Sequence, residues 1–108
     1  MALFDRAAQG NVVYSRPIET VYRAVLSAAS AAGAKVEQAD PYAYYIKLNM
    51  GISLFTWGEK LTVNLYTIND GRTSAIFVSK SNLGTEIAAD SRNRKHVDKI
   101  IGLIPNYL

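Results

Sequence analysis

The residues whose types could do chemistry fall in two short stretches. Trp57-Gly58-Glu59-Lys60 sets a carboxylate beside an indole, with an ammonium next to it. Glu59 in such a corner could act as an acid or bind a ligand against an aromatic wall. General acid–base chemistry needs a partner group within reach, and no second carboxylate stands at a readable distance. The favoured reading is structural. Trp57 plugs the end of a sheet, Gly58 allows a backbone kink or bulge, and Glu59–Lys60 begins a strand with polar residues.

The second stretch is basic: Arg92, Arg94, Lys95, His96 and Lys99. At a helix start these side chains oppose the macrodipole, at about 0.3–1 kcal/mol each where exposed. Asp90 as a cap would offset part of that. Functionally, cations beside free backbone N–H groups form an anion site suited to phosphate. Structurally, they are a solvated helix face with Arg94–Asp98 and Lys95–Asp98 at helical pair spacing. The solvated face is favoured.

His96 is the single histidine and the chain has no cysteine. A zinc site of the usual kind is therefore not expected, nor are disulfides or a cysteine nucleophile. No serine sits in a nucleophile elbow. Neither G-x-x-x-x-G-K-[ST] nor G-x-G-x-x-G occurs. No catalytic residue, metal or cofactor is assigned, and an enzyme is the least favoured class.

The elements that position these residues read from periodicity. Lys60–Thr67 alternates cleanly: Leu61, Val63 and Leu65 on one side, Thr62, Asn64 and Tyr66 on the other. A period of two marks a strand with one face buried. Residues 43–50 alternate likewise, with Tyr44, Ile46, Leu48 and Met50 opposed to Tyr45, Lys47 and Asn49. Asn11–Ser15 and Lys35–Ala39 are short strands. Residues 51–58 read as a connection. Asn69-Asp70-Gly71 is hairpin chemistry, followed by a strand over Thr73–Ser79. In that strand Ile76 and Val78 oppose Ala75 and Phe77, so both faces carry apolar groups.

Ile18, Val21, Tyr22, Val25, Ala28, Ala29 and Ala32 repeat at helical spacing after Pro17, and Gly33 suits the C-terminal cap. A last helix from about Ser91 to Leu103 carries Val97, Ile100, Ile101 and Ile104 at i, i+3, i+4, i+7, and Pro105 ends it. Residues 81–89 read as an irregular connection with a helical turn at 85–88.

The predicted order is β-α-β-β-β-β-α. This is an α+β class, two layers, with an antiparallel sheet of four to five strands and two helices on one face. Residues 1–108 form one domain, with 1–10 a flexible lead-in. The chain is 49% hydrophobic with net charge +3. No signal peptide is expected at MALFDRAAQGN. No run approaches the roughly 18 apolar residues of a membrane span. A cytoplasmic location is expected.

One resemblance rests on Ser53, Trp57, Gly58, Glu59, Lys60, Thr62, Val63, Ser79, Asn93, Lys95 and Val97, over residues 17–104. The S-x-x-x-W-G-E-K-x-T-V run and the N-x-K-x-V of the last helix resemble a family of small, uncharacterised bacterial domains. Their fold is like one repeat of the TATA-binding protein. The resemblance implies that β-α-β4-α fold and no catalytic residue. Ala88-Ala89 stands where the family has an aromatic. Likeness to a DNA-binding fold does not imply DNA binding.

The open sheet face is the leading functional surface: Tyr45, Lys47, Asn49, Thr62, Asn64 and Tyr66. Tyrosines suit a protein interface, so a non-enzymatic interaction module is expected, binding a protein partner or a second copy as a homo-oligomer. The alternative is single-stranded nucleic acid stacked on the sheet, or an anion at Arg92–Lys99.

Overall fold

A computed structural model describes residues 7–53, 56–69, 71–81 and 89–108, with side chains over 9–50, 60–69, 71–79 and 95–108. Five strands form one antiparallel sheet: β1 (Ala7–Tyr14), β2 (Lys35–Asp40), β3 (Tyr45–Ser53), β4 (Thr56–Asn69) and β5 (Arg72–Ser81). Helix α1 (Ile18–Ala31) follows β1. Helix α2 (Ala89–Leu103) follows β5 and runs into a short 3-10 turn, Ile104–Tyr107. The sheet order is β1-β5-β4-β3-β2. The α+β class and the element order are those the alternation implies.

Alternation selects the buried face. Ile46, Leu48 and Met50 of β3, Leu61, Val63 and Leu65 of β4, and Ala75 and Phe77 of β5 are buried. They join one core with Val21, Ala24, Val25, Ala28 and Ala29 of α1 and with Val97, Ile100 and Ile104 from the C-terminal segment. Each fully buried Val, Leu, Ile or Phe contributes about 1.5–3 kcal/mol through water exclusion. The alanines let α1 lie close to the sheet. Helix α2 packs on β5 and β1, and the 3-10 turn packs on α1.

Local chemistry ends and joins these elements. Pro17 stands at the N-cap of α1, and its carbonyl accepts the Val21 N–H at 3.1 Å. Gly33, at φ +79°, closes the helix. Its N–H donates to the Ser30 carbonyl at 3.0 Å, and the Ala34 N–H donates to the Ala29 carbonyl at 2.9 Å. That is a Schellman cap, whose left-handed residue favours glycine. The Asp40 carboxylate accepts the Tyr42 and Ala43 N–H groups at 2.9 and 3.1 Å, holding the β2–β3 turn. Tyr44 then adopts φ 51°. Its ring meets Tyr22 edge-on, with centroids 5.9 Å apart, and its hydroxyl donates to Glu19 at 3.2 Å. The start of α1 is thereby pinned to the sheet.

Several boundaries differ from the sequence expectation: β3 starts at Tyr45 and not at residue 43, because residues 43 and 44 complete the turn, and β5 runs on to Ser81. β1 starts at Ala7, so residues 7–10 belong to the sheet and not to a lead-in. Ala-Ala-Gln-Gly has weak strand propensity, and pairing with β5 overrides it. Residues 51–53 and 56–58 extend a β3–β4 hairpin and are not a connection. The β3–β4 register runs from Tyr45↔Asn64 to Ser53↔Thr56 without a break. Gly58 therefore lies in a continuous ladder and not at a bulge. The glycines at 51 and 58 resemble turn signals, but the ladder decides. Finally, α2 starts at Ala89, which puts Asp90 inside the first turn and not at the cap. The expected turn at 85–88 lies outside the described residues. Among the described residues no helix is long and apolar enough to cross a membrane.

Candidate functional site: the outer sheet face

The side chains opposite the core form one surface across all five strands. Register fixes the rows. Tyr45 pairs with Asn64, which pairs with Ile76, which pairs with Asn11. Lys47 pairs with Thr62, then Val78, then Gln9. Tyr66 pairs with Ser74, then Val13. Asn49 pairs with Lys60. Tyr45, Lys47, Asn49, Thr62, Asn64 and Tyr66 thus lie together on three adjacent rows and the one beside them. Tyr66 is 54% exposed and Val13 47%. Ile76 and Val78 are half-buried among their neighbours, which explains the two-sided apolar character of β5.

Several polar groups on this face are already engaged. The Thr62 hydroxyl donates to the Val78 carbonyl at 3.4 Å, and the Ser74 hydroxyl donates to Asn11 Oδ1 at 3.2 Å. A break in register between Val36 and Gln38 makes Glu37 an extra residue of β2. Its carboxylate accepts Lys60 Nζ at 2.6 Å on both oxygens and Asn49 Nδ2 at 3.3 Å. Hydrogen bonds from Lys60 hold the Glu37 carboxyl below the usual range. Partial desolvation opposes this, and Asn49 with the charges of Lys60 and Lys47 reinforces it. A depressed carboxyl favours the fold at neutral pH, and that contribution is lost as pH falls through the carboxylate range. Lys60→Ala should return the Glu37 titration upward in an NMR pH series. An unchanged titration would mean the pair does not form in solution.

The sequence reading did not include Glu37, Gln9, Asn11 and Val13 in this surface. Glu37 was hidden by the bulge, and the β1 residues by the non-local pairing of β1 with β5. The strand-forming Asn11–Ser15 run was the available signal.

The other sequence candidates lie elsewhere. Lys95 and Lys99 are exposed on α2, while His96 is half-buried and has an interaction partner, as does Asp98. They belong to the helical layer, on the far side of the sheet from Tyr45 and Lys47. The Arg92 and Arg94 side chains lie outside the described ones. So do those of Trp57 and Glu59, which with Gly58 form the outer part of the β4 backbone. Among the described residues no cluster of three or more His, Asp or Glu side chains could hold a metal.

No family model matches the chain, and no curated protein matches it in sequence. Solved structures do match in fold. The di-domain ARO/CYC BexL of the BE-7585A biosynthetic pathway superposes with TM-score 0.68 at 15% identity, over 94% of this chain and 46% of that one. This chain therefore spans less than half of that protein. The Zhui aromatase/cyclase from Streptomyces sp. R1128 matches with TM-score 0.60 at 10% identity, over 92% of this chain and 93% of that one. A protein from Nitrosospira multiformis matches with TM-score 0.67 at 11% identity, over 94% and 96%.

These neighbours share the α+β fold of this chain. At such identities the likeness establishes the fold. It bears out the α+β class. It does not make the chain a member of the motif family named from Trp57-Gly58-Glu59-Lys60.

The expectation of a non-enzymatic chain is corrected by the same finding. That expectation rested on missing nucleophile, phosphate-loop and metal motifs, which cover only a few chemistries. A fold shared with aromatase/cyclases is one on which catalysis occurs, so absent motifs do not set enzymes aside.

Proposed function

We propose that the chain is a binding module whose outer sheet face receives a protein partner, a second copy included. The observation that carries this reading is the make-up of the face. Tyr45, Tyr66, Val13, Ile76 and Val78 supply aromatic and aliphatic surface in adjoining rows, and Lys60 is neutralised by Glu37. Tyrosine and apolar groups with few free charges suit a protein interface. A phosphate backbone needs uncompensated cations, and the Lys60–Glu37 pair weakens the nucleic-acid alternative.

Tyr45→Ala with Tyr66→Ala, and separately Lys47→Glu, should lower capture of the protein partner about tenfold or more. Circular dichroism melting should stay at the wild-type value. Loss of the fold in the tyrosine double variant would place those rings in the core and defeat the reading. Binding that falls steeply with salt would favour nucleic acid instead.

A second reading is favoured by the fold likeness: a small aromatic ligand between α2 and the sheet. The inner face carries buried hydroxyls at Tyr14, Thr73 and Ser79. Thr73 donates to the Arg16 carbonyl at 2.8 Å. The Tyr14 hydroxyl has no partner among the described residues. Chemical-shift changes at Phe77 and Ser79 on adding a polycyclic aromatic probe would support this reading, and shifts confined to Tyr45 and Tyr66 would oppose it.

A further inference from the structure

The two edges of the sheet are built differently. β2 is exposed along its length, broken in register at Glu37, and carries Lys35, Glu37 and Asp40. A bulge and charges are the usual means of keeping an edge from pairing with another chain. β1 at the opposite edge has none of these. Its sequence, AAQGNVVY, contains no charge and no proline. Its register with β5 runs unbroken from Ala7 to Tyr14. Among the described residues no strand pairs with its outer side. Asp5, Arg6 and Arg16 flank the strand but none falls within it.

We infer that β1 pairs antiparallel with β1 of a second copy, so that one sheet continues through both molecules. A two-fold axis is the commonest way for identical chains to associate, and it requires the strand to complement itself. The pleat then restricts the register. Opposed residues of an antiparallel pair share a face. With both copies presenting their outer faces alike, odd positions must meet odd and even must meet even, so the axis passes beside a single residue.

An axis at Asn11 fits the strand best. On the outer face Asn11 meets its own copy and Gln9 meets Val13. On the inner face Gly10 meets Val12, a small residue against a larger one. Asn11 Oδ1 already accepts the Ser74 hydroxyl. Within Ala7–Tyr14 no charges are opposed. Val13, 47% exposed in one chain, gains an apolar and amide neighbour. The outer faces of the two copies become one surface.

Light scattering from micromolar to millimolar concentration should show a monomer passing to a dimer. Amide hydrogen exchange of residues 9–13 should slow over the same range, at the N–H groups that do not bond to β5. Asn11→Lys sets like charges against each other and should weaken the dimer about tenfold or more. Val13→Lys, at an exposed side chain, should do the same and serves where Asn11→Lys fails to fold. Tyr45→Ala with Tyr66→Ala should leave this dimer intact, which separates edge pairing from association through the face.

A monomer throughout would overturn the inference. So would a dimer in which β1 amides stay unprotected, or one insensitive to both lysine variants. Protection of β1 that appears only with a foreign protein would assign the edge to a peptide of another chain, and would also overturn it.

Discussion

Truncating Phe77 to alanine is expected to cost about 3–5 kcal/mol, a large part of the stability of a domain of this size. Phe77 is the largest fully buried side chain among the described residues. It sits on β5, which joins β1 to β4 and lies under α2. Removing the ring leaves a cavity bordered by both layers, and neither the sheet nor the helices can close on it without losing other contacts. Urea unfolding followed by circular dichroism should show a much lower midpoint with an unchanged slope. Ile76→Ala, one residue away on the half-buried outer face, should cost far less. Equal losses at the two positions would mean that the faces of β5 are misassigned.

The second large effect is alkaline. Burial pushes the Tyr14 hydroxyl up to about 12, against about 10 in an unfolded chain. The folded state therefore holds its proton where the unfolded state has released it. Stability is fully present below pH 10 and falls as pH rises toward 12, because deprotonation favours the unfolded chain. The loss is bounded above by about 2–3 kcal/mol and is reduced by solvent screening of the hydroxyl.

Tyr14→Phe should remove that limb from a plot of unfolding free energy against pH. Its cost at neutral pH should be small, since the hydroxyl has no partner among the described residues. Part of the alkaline slope will remain. Tyr22 is raised by burial and by the Asp40 charge. Tyr44 is raised by desolvation and by Glu19. An unchanged limb in Tyr14→Phe would mean that Tyr14 is exposed in solution.

Much of this architecture was legible in short windows of the sequence. The alternation in residues 45–50 and 61–66 assigned the side chains there to the correct face, because a strand's pleat has a period of two. The stripe from Ile18 to Ala29 identified α1, and Gly33 marked its end, since the Schellman cap requires a left-handed residue. Elsewhere local signals misled. Gly51 and Gly58 bounded a stretch read as a connection, but they lie in the unbroken β3–β4 ladder. Ala7–Gly10 has almost no strand character, and it is held by β5.

The sequence by itself determined which face of each strong strand is buried and which face of each helix is apolar. Those properties repeat every few residues and need no distant partner. The tertiary structure alone decided which strands are neighbours. It brought β1 beside β5, so that Gln9, Asn11 and Val13 extend a surface begun by Tyr45 and Tyr66. It also set the bulge that carries Glu37 to Lys60, and left one edge charged and broken but the other uncharged and continuous. Strand neighbours are chosen by closing loops between distant residues, and the winning register is the one that buries every apolar face at once.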